Sequence, residues 1–330
     1  MLHTQLCDLL DIEYPLIQAG MGPFTNAELV AAVSNAGGLG SLGGSRPLSE
    51  LKEHLTRLKE LTDRPFAVNF TWVFLHSART TFAEEAISTV LEARPRVLSL
   101  ALGEPSDLVN RAHDAGILFM QQVHTVEQAR HAAGLGVDII VAQGSEAGGF
   151  IGSNISAMPL IPQVVDAVDS IPVVAAGGIA DGRGLAAALV LGAQGVNIGT
   201  RFLASTEAGV SNDWKEAILR AGSEDAVKLE VWGDIFPEPQ APGSYHTLPR
   251  ALSTPFSEQW QQHRDEATGE AARLREDVDT AVRENRMHER VPFTGQTTGL
   301  IHDVLPAAEI LSRIVAEAEK ALRRAGNLIV

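Results

Sequence analysis

The sequence predicts an α/β fold: a closed (β/α)8 barrel with an inserted C-terminal helical lobe. Three observations predict it. Short apolar runs of strand length alternate with helical patterns over the first two-thirds of the chain, on a rhythm of roughly 20–30 residues per unit, as right-handed crossovers between parallel neighbours require. Several of these runs stop abruptly at glycines, so that backbone amides lie open to something that comes very close. A chain of 330 residues with 45% hydrophobic content can bury one barrel core and an elaboration as well.

Taken in order, residues 15–20 read as the first strand, followed by a helix that Asn26 caps and Gly37-Gly38 closes. Residues 38–42 form the second strand, and residues 48–61 have helical spacing. The third strand spans 65–70, with a helix over 81–93; the fourth spans 97–100, with a helix over 106–115. The fifth strand (117–121) precedes a helix at 125–133, and the sixth (137–142) precedes one at 159–169. Strand seven (173–176), a helix (182–191) and strand eight (196–198) complete the series. A doubly wound open sheet is the alternative topology for such a pattern.

After Arg201 the texture changes. Residues 206–227 read as helical, whereas 233–254 carries Pro237, Pro239, Pro242 and Pro249 and cannot be one continuous regular element. Charged, helix-favouring sequence runs over 257–286, and residues 306–324 form a final amphipathic helix. The expected organisation is a barrel over 1–203, a lobe with its proline-rich segment over 204–292, and a tail over 293–330 returning to the barrel. No internal repeat beyond the strand–helix rhythm and no low-complexity tract is present.

Composition excludes several function classes. A net charge of −15 would repel nucleic acid and anionic membranes, so an anionic ligand must be held by local amides, a helix terminus or a few placed cations. Cys7 is the single cysteine, which rules out an intrachain disulfide and a cysteine-built metal cluster; no metal site is expected. The first residues lack a basic start followed by an apolar stretch, and no run approaches the roughly 20 apolar residues of a membrane span. A cytoplasmic protein with no membrane partner is expected.

Barrel chemistry lies at the carboxyl ends of the strands. Gly177-Gly178 follows strand seven and leads into a helix, and Gly199-Thr200 follows strand eight. Together they match a phosphate-binding arrangement, with amides and a hydroxyl as donors. The same glycines would also serve plain tight turns. The stretch Val141-Ala-Gln-Gly-Ser-Glu-Ala-Gly-Gly-Phe150 ends strand six in the same manner.

Jointly, Gln18-Ala-Gly-Met-Gly22, Val68-Asn-Phe70, Ala142-Gln-Gly-Ser-Glu-Ala-Gly-Gly149, Ala176-Gly-Gly-Ile179 and Gly199-Thr-Arg-Phe202 resemble the nitronate monooxygenase group of flavoenzymes. That group, once called 2-nitropropane dioxygenases, includes an FMN-dependent enoyl-acyl-carrier-protein reductase and quinone reductases. Thr294-Gly-Gln-Thr-Thr-Gly-Leu300 and Leu305-Pro-Ala-Ala308 resemble the family's tail. The resemblance implies a TIM barrel holding FMN non-covalently at the strand ends. It places Gly20, Met21 and Gly22 against the isoalloxazine, and Asn69, Gln122, Gln143, Gly148 and Gly149 on the cofactor. Gly177, Gly178, Gly199 and Thr200 would hold the phosphate.

One departure governs the function. Members of that family carry a proton-handling histidine after the Glu-Ala-Gly-Gly stretch, where this chain has Phe150. Phenylalanine cannot accept a proton, and losing a positioned base typically removes a factor of roughly 10² to 10⁴ in rate. Phe150 is expected as an apolar pocket wall. His124, just past strand five, is the candidate replacement, with helix capping or a solvent role as its plain alternative. His76 is a weaker one. Glu146 reads as an acceptor of backbone hydrogen bonds; Trp72 and Phe74 make the loop after strand three bulky and apolar, so Trp72 and His76 are expected beside Phe150 in the substrate pocket, with simple packing as the plain alternative. Tyr245 and His246 either fold over the pocket or lie on the surface.

Motifs for other chemistries are missing: no Walker loop, no nucleophile elbow around Ser145, no zinc-binding histidine pair, and no dinucleotide fingerprint at Gly37-Gly-Leu-Gly40. The expectation is an FMN-dependent oxidoreductase acting on an apolar small molecule, such as a thioester-linked or unsaturated carbonyl compound. NADH or NADPH would be a transient reductant. Three readings stand beside it: a true nitronate monooxygenase with another base, an NAD(P)H-dependent quinone or enoyl reductase, and a non-catalytic flavin-binding module. Whether the chain forms a homo-oligomer is open from sequence.

Overall fold

The computed structural model describes residues 2–77, 81–105, 107–237 and 243–328. Ser106, at the head of one expected helix, and Pro239 and Pro242 lie outside the described residues. The strands are β1 (Leu16–Gln18), β2 (Gly40–Gly43), β3 (Phe66–Thr71), β4 (Val97–Ala101), β5 (Leu118–Val123), β6 (Ile139–Gln143), β7 (Gly149–Ile151), β8 (Val173–Ala176), β9 (Gly195–Ile198), β10 (Ala226–Lys228) and β11 (Leu248–Leu252).

Eight of them form one parallel sheet in the order β1-β9-β8-β6-β5-β4-β3-β2. The sheet closes on itself, because the Gln18 amide donates to the Leu39 carbonyl at 2.9 Å and the Leu39 amide donates to the Leu16 carbonyl at 2.9 Å. The expected barrel is therefore the observed one, and the open doubly wound alternative falls. Alternation within each strand separates two apolar sets. Ile17, Leu39, Ala67, Val97, Met120, Ile139 and Val174 fill the interior, where Leu6 and Leu10 of the helix Gln5–Leu10 join them. Leu42, Val68, Leu98 and Ile140 face the surrounding helices. Full burial of each such side chain contributes roughly 1.5–3 kcal/mol.

Capping chemistry starts the helices where the sequence places it. The Asn26 side chain accepts from the Leu29 amide at 2.9 Å and donates to the Glu207 carbonyl at 2.9 Å, tying the first barrel helix to the segment beyond the barrel. The final helix, Ala307–Gly326, buries Ile310, Leu311, Ile314, Val315 and Ala318. It lies against the helix Gly182–Val190 so closely that a Cβ on Gly182 would sit 2.3 Å from the Ala318 nitrogen.

The region beyond the barrel departs from expectation. Residues 206–227, read as helical, divide into the helix Asn212–Arg220, a short turn at Ser223–Asp225 and β10. The proline-rich stretch contains β11, which pairs antiparallel with β10 on one side and β7 on the other. Pro249 lies just past the last β10–β11 pair, Lys228 with Arg250, so the bond its nitrogen cannot donate falls at the end of that ladder, while its carbonyl accepts from the Leu229 amide at 2.9 Å. The charged stretch 257–286 is three helices, Pro255–Gln262, Arg264–Gly269 and Ala271–Arg283. The lobe is thus mixed, and β7, from a barrel loop, is the third strand of its sheet.

Candidate active site

Above the carboxyl ends of the barrel strands lies a cavity of about 300 Å³. This is the small end of the range for ligand pockets. Its wall includes Gly20, Met21, Gly22, Asn69, Gln122, Gln143, Gly148, Gly149, Phe150, Gly177, Gly178, Gly199 and Thr200. Every residue expected on the cofactor, together with Phe150, is therefore brought to one space.

At one end, Gly177 and Gly178 have φ of +85° and +74°, a left-handed pair that costs an L-residue roughly 1–2 kcal/mol per position. Opposite them, Gly199 precedes the short helix Thr200–Leu203. The Thr200 hydroxyl accepts from the Gly295 amide at 2.9 Å, which leaves its own proton available to an acceptor in the cavity. Glycine backbone and one oriented hydroxyl make this end suited to a phosphate.

The other end is polar without being charged. The Asn69 side chain donates to the Gly20 carbonyl at 3.4 Å, and the Gln122 amide donates to Gln143 Oε1 at 3.1 Å. Asn197 belongs to the wall, and its buried Oδ1 has no hydrogen-bond partner among the described residues. The loop bearing Gly20, Met21 and Gly22 is clamped from behind by Arg46, whose guanidinium donates to Gly43 O at 2.7 Å, to Gly22 O at 2.9 Å and to Thr25 O. Burial pushes the Arg46 pKa down to about 10, so it remains a cation at neutral pH. A flat ring with hydrogen-bonding edges plus a phosphate tail fits this donor and acceptor set, which is what FMN offers.

Phe150 lies on β7 opposite Pro249. Its ring meets Trp232 at 5.9 Å and Phe293 at 5.6 Å, and Trp232 and Phe293 are 5.5 Å apart. Phe24 continues the aromatic wall toward Phe293 at 6.4 Å. Among the described residues, the one ionisable side chain on the cavity wall is Glu146. Both of its carboxylate oxygens accept from the Ala157 amide at 3.0 Å, the structural role expected of it.

His124, Trp72 and His76 are not on this wall. His124 is fully buried beneath Gly152 and edge-on to Tyr245 at 6.3 Å, and neither ring nitrogen has a hydrogen-bond partner. Burial pushes its pKa down to about 4, offset only in part by the neighbouring Gln143 carbonyl. Trp72 is buried against Gly103, and exposed His76 stacks on Trp72 at 4.0 Å. Strand-end position places a residue at the correct end of the barrel, but the strand twist and the covering loops decide which way it faces.

Sequence reasoning missed Phe293, Trp232, Asn197 and Arg46. Asn197 is a polar residue inside the expected strand eight (196–198), just before Gly199-Thr200, so that signal was available. Phe293 and Trp232 have no local signal, because they come from segments distant in sequence that only the folded chain brings beside Phe150.

A protein-family profile described as nitronate monooxygenase matches residues 3–317. A probable nitronate monooxygenase of Staphylococcus saprophyticus is 38% identical over 271 residues, covering 70% of this chain and 76% of that one. A (3aS,4S,5R,7aS)-5-hydroxy-7a-methyl-1-oxo-octahydro-1H-indene-4-carboxyl-CoA dehydrogenase of Rhodococcus jostii is 33% identical over 361 residues and covers 99% of both chains. Among solved structures, FabK from Thermotoga maritima superposes with a TM-score of 0.88 at 33% identity over 100% of both chains. A nitroalkane oxidase from Streptomyces ansochromogenes gives 0.79 at 27% identity, over 97% of this chain and 99% of its own.

Proposed function

This chain belongs to the nitronate monooxygenase family of FMN-dependent oxidoreductases, and from that premise we propose that it oxidises or reduces an apolar thioester or unsaturated carbonyl compound. The carrying observation is the character of the cavity wall: Phe150, Phe293 and Phe24 line it, and its single ionisable group among the described residues, Glu146, is committed to the Ala157 amide. Such a wall favours a hydrophobic acyl body and offers no free side-chain base. The Rhodococcus relative, named as a dehydrogenase of a bicyclic carboxyl-CoA, matches from end to end and supports a thioester substrate with an alicyclic body.

In this reading Gly177, Gly178, Gly199 and Thr200 hold the phosphate of FMN. Gly20, Met21 and Gly22 lie along its ring, while Asn69, Gln122, Gln143, Gly148, Gly149 and Asn197 meet its polar atoms. When bound, FMN supplies two-electron redox chemistry. Arg46 fixes the loop that carries Gly22, and Phe150, Phe293 and Trp232 exclude water and orient the substrate body. His124, buried and neutral, has no part in proton transfer at the cavity. NADH or NADPH acts as a visiting reductant, since no dinucleotide fingerprint provides a resident site.

A nitronate oxidase is the second reading, favoured by the match to the Staphylococcus protein. A panel of saturated and α,β-unsaturated acyl-CoA thioesters, quinones and alkyl nitronates, with and without NADH or NADPH, separates the two. Turnover confined to the thioesters is the expected result. Turnover confined to nitronates overturns the proposal, and no turnover by flavin-loaded protein points to a binding module.

A further inference from the structure

A second, larger cavity of about 640 Å³ lies along the outer side of the loops that bound the active cavity. Residues adjacent in sequence split between the two spaces: Ile179 and Thr200 face the active cavity, while Ala180 and Arg201 face this groove. The final helix forms its long wall. Leu305 and Ala321 present partly exposed apolar surface over the buried Ile310 and Ile314.

Two features here have no use in the fold. Leu300 and Leu328, 45% and 79% exposed, stand on the groove although they are large apolar side chains. Lys320 and Arg324, one helical turn apart, are exposed cations for which no carboxylate lies within ion-pairing distance among the described residues. The other charges of the groove are already engaged. Arg201 is buried and bonded to the Asp303 carbonyl and carboxylate at 2.9 Å each, Arg313 pairs with Asp303 and Glu309, and Arg183 pairs with Asp181. Glu317 accepts from the Gly182 amide at 3.0 Å. In a chain of net charge −15, an apolar trough ending in two unpaired cations is a local reversal of the prevailing field.

We propose that this groove is a second ligand site, for an anionic head group on an aliphatic body, such as an acyl-chain carboxylate or alkyl phosphate. The chain lies along Leu305 and Ala321, between the exposed Leu300 and Leu328. The head group pairs with Lys320 and Arg324, whose stems cover part of the chain.

The test is calorimetric titration of the flavin-loaded protein with laurate and with dodecyl phosphate, each below its micelle concentration. Dodecanol serves as the tail alone and inorganic phosphate as the head alone. Saturable binding of laurate or dodecyl phosphate is expected, at least tenfold tighter than either half-ligand, and the tighter of the two identifies the head group. The double variant Lys320→Glu/Arg324→Glu should weaken that binding at least tenfold with flavin content and melting temperature unchanged. The proposal is overturned by absence of saturable binding or by binding that the double variant leaves intact. A wild-type dimer that this variant dissociates also overturns it, because a second copy of the chain would then cover the groove.

Discussion

The Gly295 amide donates to the Thr200 hydroxyl at 2.9 Å, joining the C-terminal segment to the end of the cavity lined by Gly199 and Thr200. Gly295 thereby settles which way Thr200 donates, since an oxygen that accepts from one side presents its proton on another.

Replacing Thr200 with Ala removes that donor and leaves the Gly295 amide unpaired. A hydrogen bond to a charged group contributes about 1.5–3 kcal/mol, so FMN should dissociate roughly 10- to 150-fold more readily, with Thr200→Ser restoring most of the affinity. Gly178→Val should weaken binding further, because φ of +74° strains a β-branched residue and its side chain enters the cavity. Quenching of flavin fluorescence on titration measures both. Equal losses in the two variants would place the phosphate elsewhere.

Phe150→His should raise alkyl nitronate oxidation by roughly 10² if the remaining site supports that chemistry. The same change should depress thioester turnover, since an unpaired imidazole on an apolar wall carries a desolvation cost of roughly 1–3 kcal/mol. Steady-state rates with both substrate classes decide. Strong nitronate turnover by the unmodified protein would count against the reading of Phe150.

Phe293 at the start of the tail and Trp232 of the lobe pack on Phe150, at 5.6 and 5.9 Å. An aromatic pair is worth about 0.5–1.5 kcal/mol beyond its buried area. Phe293→Leu or Trp232→Leu should therefore raise KM for a bicyclic acyl-CoA roughly 2- to 10-fold while changing it little for a short linear one. Uniform loss across both substrates would mean that these rings serve stability alone.

Acid sensitivity should trace in part to His124. Its folded pKa of about 4 lies below the ordinary value of 6.5, so the unfolded chain binds the additional proton. Stability from this residue is then full above pH 6.5 and is lost as pH falls toward 4, by an amount on the order of 3 kcal/mol. Thermal melts between pH 4 and 7 should show a flatter profile in His124→Met than in the natural protein. Parallel profiles would show that His124 titrates normally.

Much of the molecule was legible without coordinates. The strand and helix periods, the Asn26 cap and the glycines at residues 177, 178 and 199 act through local backbone preference, so the barrel and the placing of those glycines at its carboxyl end followed from residues near one another in the chain. Only the tertiary structure decided the rest. It set Pro249 in a strand opposite Phe150, assembled Phe150, Phe293 and Trp232 into one wall, and turned His124 away from the cavity beneath Gly152 and Tyr245. These outcomes depend on which distant segments pack together. Burial there is fixed by contacts that neither periodicity nor composition records.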